Sequence, residues 1–364
     1  MGSKGNSGVT RGHQIPIAGN ESAAAPSRPQ PSQRTRLDVG VDGPLDGLNG
    51  PVLVCGPAVD ALGLLPDGSV QTVVTSPPYW SLRDYSAEGQ IGRDDALGEY
   101  VKSIVMAFDQ VRRVLTDGGT VWLNVGDSYT SGNRRYRAPD RKNRARAMAV
   151  RPPTPEGLKP KDLIGVPWRL AFALQDAGWW LRSEVIWYKP NAHPESVSDR
   201  PTKSHETVFL LSKSQDYYYD TAAVPGPNGR RLRTMWDINT EPRRKDAGGI
   251  EDHPAVMPMT LAQRCIQITS RPGDTVLDPY AGSGTTLIAA QELGRNWAGI
   301  ELNPAYVDLI ERRVTERASL TTNPSATAIF GPALNLFLPW KRGSSVGSST
   351  RSRPHSKLRS QKLG

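Results

Sequence analysis

An open α/β sheet wound in both directions, with inserted loops and disordered tails, is the fold this sequence predicts. Short apolar runs alternate with stretches of helical periodicity from about residue 51 to residue 300. Each run is closed by Gly, Pro or Asp-Gly punctuation, and polar residues of chemical interest gather where the predicted strands stop. Alternating strands and helices place helices on both faces of a mostly parallel sheet, and ligands at the carboxyl ends of its strands.

The elements follow in order. Pro51-Val-Leu-Val reads as a strand, Val59 to Leu65 as a helical turn, and Gln71 to Thr75 as a strand stopped by Pro77-Pro78. Tyr100 to Leu115 is helical and ends before Asp117-Gly118-Gly119, after which Thr120 to Val125 reads as a buried strand. Val166 to Ala177 is a helix closed by Gly178, followed by strands at Leu181 to Tyr188 and Glu206 to Leu211. A helix at Leu261 to Ile268, a strand at Thr275 to Leu277, a helix at Thr286 to Leu293 and a strand at Trp297 to Ile300 complete the pattern. The result is Rossmann-like.

One catalytic domain is expected over residues 49–318. Residues 1–48 and 319–364 are rich in Gly, Ser, Pro and Arg and lack apolar periodicity, so both read as disordered. Cys55 and Cys265 stand apart without a CxxC or neighbouring His pattern, which argues against a disulfide framework or a zinc site and for a reducing, cytoplasmic setting. No apolar run approaches the roughly 18 residues of a membrane helix. The net charge of +9 is unevenly placed. The last tail carries +7, and residues 131–161 carry +8 as a basic insertion that includes Arg134, Arg135, Arg141, Lys142, Arg144 and Arg146. The charge of the insertion points to nucleic-acid phosphates, whereas the basic tail reads as a solvated disordered segment.

Thr275-Val-Leu-Asp-Pro-Tyr-Ala-Gly-Ser-Gly-Thr-Thr286 runs from strand through glycine loop into helix. Gly282 and Gly284 permit a tight turn and close approach of a ligand, and Glu301 ends the next strand, where an acid can hold both hydroxyls of a ribose. A nicotinamide fingerprint requires a third glycine near position 287, where this chain has Leu287, so an oxidoreductase is the weaker reading. Asp278-Pro279-Tyr280-Ala281-Gly282-Ser283-Gly284-Thr285 resembles the S-adenosylmethionine loop of the amino-group DNA methyltransferases, and Gly299 to Tyr306 resembles the ribose-binding segment after it. The resemblance implies S-adenosyl-L-methionine as cofactor. It sets Asp278, Gly282, Ser283 and Gly284 near the methionine part, Tyr280 beside the cofactor with Pro279 and Thr285 in the same loop, and Glu301 on the ribose.

Thr75-Ser76-Pro77-Pro78-Tyr79-Trp80 is the more specific pattern. Two prolines fix the backbone and turn a carbonyl away from the sheet ladder. An exocyclic base amine is a poor nucleophile because its lone pair is delocalised, and acceptors on its N–H bonds free that pair. Ser76 and the Pro77 carbonyl are the expected acceptors, Pro78 shapes the turn, and transfer is an in-line displacement helped by positioning. A duplex base must be flipped out, with Tyr79 as stacking platform and Trp80 as a second wall. No cysteine lies near a suitable motif, which argues against ring-carbon methylation. The resemblance covers residues 51–317 in the permuted order of the beta group, catalytic motif before cofactor loop. Val121 to Asp127, Val185 to Pro190 and Arg200 to Glu206 share it. One departure is Gly56-Pro57, where relatives carry Gly-Asp; Asp60 is the substitute considered.

The resemblance implies double-stranded DNA as partner, with a cognate restriction endonuclease in a bacterial or phage-infected cell, and no metal. Oligomeric state is open. Ser at the first motif position favours cytosine N4, with adenine N6 as the alternative. A nonenzymatic DNA-binding protein is the third reading. Residues 214–256 are the candidate target-recognition region. His205-Glu206 lacks a second His at position 209 and reads as strand-edge, Asp127 reads as a turn or helix cap, and Tyr217-Tyr-Tyr219 reads as packing.

Overall fold

The computed structural model describes residues 35–39, 43–85, 87–130, 153–241 and 256–322, with backbone only for 320–322. Among these, strands β1 (Thr35–Asp38), β2 (Val52–Cys55), β3 (Val70–Thr75), β4 (Leu115–Val125), β5 (Trp180–Tyr188), β6 (His205–Ser212), β7 (Met235–Asp237), β8 (Thr275–Asp278) and β9 (Asn296–Glu301) form one sheet. Its order is β1-β2-β9-β8-β3-β4-β6-β5-β7. Only β6 runs against the rest, pairing antiparallel with β4 and β5.

Strand alternation explains the two cores. Val73, Val121 and Leu211 face helices α1 (Ala58–Gly63), α2 (Leu97–Val114) and α3 (Val166–Asp176). Their chain neighbours Val74, Trp122 and Leu210 face α4 (Met259–Thr269), α5 (Thr285–Glu292) and α6 (Pro304–Thr322). Neighbouring side chains on a strand point to opposite faces, so a sheet buried on both sides must be apolar throughout. Helix α2 ends at Val114, and β4 begins at once. The register with β3 jumps from Val70↔Leu115 to Thr72↔Thr120, so the Asp117-Gly118-Gly119 turn bulges out of the ladder.

The sheet is doubly wound about the β3–β8 contact. From β3 the chain moves to β4 on one side, and from β8 to β9 on the other. That reversal opens a crevice beyond the carboxyl ends of β3 and β8.

Three elements depart from the sequence reading. The tail expected to be disordered to residue 48 supplies β1, in which Leu37 is buried, and Leu45 and Leu48 pack on the core. Four residues with one inward side chain are too short a pattern to announce a strand without the partner it pairs with. Strand β7 is equally short, at the far edge. Helix α6 continues past the expected boundary at 318, through Thr322. The chain divides into two units, Met1–Glu316 and Arg317–Gly364; the described part of the second is the last turns of α6. Residues 1–34 and 323–364 of the expected tails lie outside the described residues. No helix among the described residues is long and apolar enough to cross a membrane.

Candidate active site and cofactor cleft

The crevice is a cleft of about 780 Å³ counting its open mouth, lined by Gly56, Pro57 and Val59, by Ser76 and Pro78, by Tyr85, Ala87 and Ile91, and by Pro279, Tyr280, Gly282 and Glu301. Motifs some 200 residues apart in sequence therefore line one cleft. A second depression, at the opposite end of the sheet, is lined by Asp67, Asp109, Arg112, Arg113, Asp117 and Lys213. Its charges largely pair among themselves, Arg113 with Asp67 and Lys213 with Asp117.

The glycine loop is built around Glu301. Its Oε2 accepts the Gly282 N–H at 2.8 Å and its Oε1 accepts the Asn303 N–H at 2.8 Å. Each oxygen keeps a lone pair for a further donor. Burial pushes the carboxyl up to about 7, against the lowering effect of those two N–H groups. Gly282 has φ 53° and Gly284 φ 78°, left-handed values that a side chain resists. Asp278 is buried behind this loop, where its Oδ1 accepts the Thr75 hydroxyl at 2.7 Å and the Tyr280 N–H at 3.1 Å. Burial raises it to about 6.

Of the loop residues expected at the cofactor, Pro279, Tyr280 and Gly282 line the cleft with Glu301, whereas Asp278, Ser283, Gly284 and Thr285 stand behind that wall. Ser283 and Thr285 are 4% exposed, and Gly284 begins α5 with Ile310 close against it. Tyr280 Oη and Thr285 Oγ1, both shut off from solvent, have no hydrogen-bond partner, which leaves the loop with polar atoms in reserve. An acid with lone pairs to spare, an open loop backbone and an apolar wall of Pro57, Val59 and Ile91 together suit a nucleoside-bearing cofactor. Asp60 is exposed and lies outside the cleft lining, so it does not replace the acid missing at Pro57.

On the other wall, Tyr100 donates to the Pro78 carbonyl at 2.9 Å. The Pro77 carbonyl has no such partner among the described hydrogen bonds, and Pro77 itself is buried between Ser76 and Pro78, which line the cleft. Ser76 Oγ donates to Tyr79 Oη at 3.2 Å, and Tyr79 Oη donates to Glu206 Oε2 at 2.6 Å. Burial and the adjacent Glu206 charge hold the Tyr79 phenol well above its ordinary value. Its ring lies against Gly126, where a Cβ would come within 2.4 Å of Tyr79 Cε2. Trp80 is not a second wall of the pocket. It is 3% exposed, belongs to the core and donates to the Asp95 carbonyl at 2.9 Å. The aromatic residue after the motif is recruited to packing because the chain turns inward there.

The expected strand-edge role for His205-Glu206 also gives way. Strand β6 is interior, and Glu206 reaches the Tyr79 hydroxyl, Asn124 and the Lys189 ammonium. Burial alone would raise the Glu206 carboxyl, but Lys189, Tyr79 and Asn124 together hold it below its ordinary range. The sequence signal was a set of stretches, Val121 to Asp127, Val185 to Pro190 and Arg200 to Glu206, whose members meet only across three strands. Asp127 takes the cap role, accepting the Gly165 and Val166 N–H groups at 3.0 Å at the start of α3.

Two further regions frame the mouth. The basic insertion leaves at Thr130 and returns by Asp162, joined by the Thr130 N–H to Asp162 carbonyl bond of 2.9 Å at the carboxyl end of β4. Arg134, Arg135, Arg141, Lys142, Arg144 and Arg146 lie outside the described residues. In the region 214–256, Tyr218 hydrogen-bonds Gly118 and Asp220 bonds Ile268, both at the end of the sheet opposite the cleft. Among its described residues, this region reaches the cleft side from Asp237 to Glu241, where Asn191 bonds Thr240. Residues 242–255 lie outside the described residues.

Known proteins resemble the chain at each of these levels. The Type II methyltransferase M.Cfr9I of Citrobacter freundii is 55% identical over 271 residues, which is 73% of this chain and 88% of that protein. M.SmaI of Serratia marcescens is 54% identical over 271 residues, 73% of this chain and 91% of that one. In the fold, PvuII DNA methyltransferase (cytosine-N4-specific) matches with a TM-score of 0.56 at 20% identity, over 75% of this chain and 93% of that one. A DNA modification methylase from Thermus thermophilus, TTHA0409 complexed with S-adenosyl-L-methionine, matches with a TM-score of 0.52 at 26% identity, over 73% of this chain and 93% of that one. Residues 70–312 match the DNA methylase family of N6 and N4 methyltransferases, a span that begins at β3 and takes in both the Ser76-Pro77-Pro78-Tyr79 motif and the glycine loop, and the chain belongs to that family.

Proposed function

We propose that this DNA methyltransferase modifies the exocyclic N4 amine of a cytosine flipped out of double-stranded DNA. The observation that carries the reading is the placement of Ser76 on the cleft that also holds Gly282 and Glu301, with Pro77, whose carbonyl has no partner among the described hydrogen bonds, next to it in the chain. Two acceptors side by side suit the two hydrogens of an amine. Neither is a carboxylate, which supports cytosine over adenine by the resemblance of the Ser-Pro-Pro-Tyr form.

The methyl donor is S-adenosyl-L-methionine, whose sulfonium supplies an electrophilic methyl carbon. Glu301 is suited to accept from the ribose hydroxyls, Tyr280 and Pro279 to wall the cofactor, and Pro57 and Val59 to take its base. Asp278, Ser283, Gly284 and Thr285 support the loop from behind. Ser76 and Pro77 orient the amine, Pro78 fixes the turn through Tyr100, and Tyr79 presents its ring to the flipped base. Holding reactants in line is the main assistance such a displacement needs.

Arg134, Arg135, Arg141, Lys142, Arg144 and Arg146 are proposed as phosphate contacts, supported by the position of Thr130 and Asp162 at the cleft end of the sheet. Neutralising Arg141, Lys142, Arg144 and Arg146 flattens the salt dependence of DNA affinity on this reading, and an unchanged salt series rejects it. The Type II names of the relatives support a modification role beside a cognate restriction endonuclease.

Digestion of methylated DNA to nucleosides followed by mass spectrometry tests the base assignment. N4-methylcytosine is expected. N6-methyladenine without it overturns the choice of base.

A further inference from the structure

Behind the catalytic motif lies a chain of hydrogen bonds that amine recognition does not by itself require. It runs from Ser76 Oγ to Tyr79 Oη at 3.2 Å, from Tyr79 Oη to Glu206 Oε2 at 2.6 Å, and from Glu206 Oε1 to the Lys189 ammonium. Asn124 Nδ2 braces it, donating to Tyr79 Oη at 3.0 Å and to Glu206 Oε2 at 3.1 Å. Lys189 and Glu206 are each 16% exposed. Its members come from the end of β3, from β4, from the residue after β5 and from β6. Gly126, on the same strand end as Asn124, leaves the space in which the Tyr79 ring lies.

A hydroxyl has one proton and two lone pairs, and an unrestrained one rotates to suit its surroundings. If Ser76 turned its proton toward an incoming amine, two donors would face each other. Here the direction of the chain is fixed from its far end. Lys189 has no acceptor to offer, so Glu206 stays a carboxylate, which can only accept. Tyr79 must therefore donate to Glu206, and its oxygen is then an acceptor for Ser76 and Asn124. Ser76 spends its proton on Tyr79. Serially linked hydrogen bonds also polarise one another, more so where water is excluded and the terminal acceptor is charged.

We propose that Glu206, held by Lys189, is a positioning residue that acts through Tyr79 to fix the Ser76 hydroxyl with its lone pairs toward the target amine. The proposal rests on the reading that Ser76 accepts an amine hydrogen. A residue that only filled space or braced β6 would be replaced without kinetic loss by a neutral isostere. A residue that orients the hydroxyl by its charge is not, and the loss falls on turnover rather than on binding, because the amine is engaged most strongly as charge develops on nitrogen.

The test is steady-state transfer of tritium from labelled S-adenosylmethionine into DNA by the full-length chain, with cofactor affinity measured by calorimetry. The variants are Glu206→Gln, Tyr79→Phe and the two combined. Each single change is expected to lower kcat roughly 10- to 100-fold, with KM for DNA and cofactor Kd within about threefold of the parent protein. The double variant is expected to be no worse than the poorer single one, since both break the same chain. Wild-type kcat in Glu206→Gln or in Tyr79→Phe, losses that multiply in the double variant, or losses confined to KM or Kd overturn the proposal. Should Glu206→Gln not fold, Glu206→Gln with Lys189→Met removes both charges together and must show the same kcat loss, and Tyr79→Phe breaks the chain with no change of charge. The tritium count registers methyl groups on either base. A product of N6-methyladenine with the same pattern of kcat losses thus overturns the cytosine assignment and leaves this proposal standing.

Discussion

The Thr75 hydroxyl donates to the Asp278 carboxylate at 2.7 Å across the β3–β8 contact, joining the strand that leads into the Ser76-Pro77-Pro78-Tyr79 motif to the strand that leads into the glycine loop. Both residues are buried, at 0% and 4% exposure, so the bond is made where water cannot replace it. Removing one partner of a buried hydrogen bond leaves the other unsatisfied, at a cost of about 1–3 kcal/mol. Thr75→Val, which conserves shape, is expected to lower the free energy of unfolding by about that amount and to weaken cofactor binding. Urea denaturation and calorimetry measure the two, and a variant unaltered in both would mean that the junction does not depend on this bond.

The pH dependence follows from two raised carboxyls. Asp278 rises from 3.8 to about 6 and Glu301 from 4.5 to about 7, each chiefly through burial. A folded-state value above the ordinary one means that the folded protein binds the proton more tightly, so stability from these groups is fullest at acid pH and declines as pH rises from about 4 to about 7. On the proposed role of Glu301, cofactor binding runs the other way, because a ribose hydroxyl would donate to its charged form. Cofactor Kd is expected to rise about tenfold from pH 8 to pH 6. Calorimetric titration across that range checks it, with Glu301→Gln as the control in which this part of the dependence vanishes. A parent profile identical to that of Glu301→Gln counts against the role.

Gly126→Ala places a methyl carbon within 2.4 Å of Tyr79 Cε2 and 2.7 Å of its Cδ2. The ring must move, and the Ser76–Tyr79–Glu206 chain moves with it. Overpacking of this kind costs about 1–3 kcal/mol. Methyl transfer is expected to fall by at least tenfold while cofactor affinity is kept, since the cofactor wall at Gly282 and Glu301 is remote in the fold from this contact. Full activity in Gly126→Ala would show that the ring position is not critical.

Asp127 links the end of β4 to the start of α3 through the Gly165 and Val166 N–H groups. Gly165, at φ 76°, provides no side-chain cap of its own, so the acid arrives from 38 residues away. Asp127→Ala is expected to destabilise the fold by about 1–2 kcal/mol, as loss of a helix cap does, and to leave cofactor binding intact. Chemical denaturation measures it. A larger effect on kcat than on stability would instead assign Asp127 to the chemistry.

The sequence by itself determined the alternation of elements, the two strand-ending motifs and the acid that ends β9, because each depends on residues close together in the chain. Periodicity, proline stops and left-handed glycines act within a few residues of one another, and the order of strands and helices follows from them. The edge strands β1 and β7 were beyond its reach, since each is defined by the strand it pairs with. So were the burial of Trp80, the outward turn of Asp60 and the interior position of β6. The sequence presented Tyr79, Asn124, Lys189 and Glu206 as four unrelated positions, and Glu206 read as a strand-edge residue. Only the antiparallel insertion of β6 between β4 and β5 brought them within hydrogen-bond reach. A buried charge needs its partners in space, and the spacing of residues along a chain does not record which strands will lie side by side.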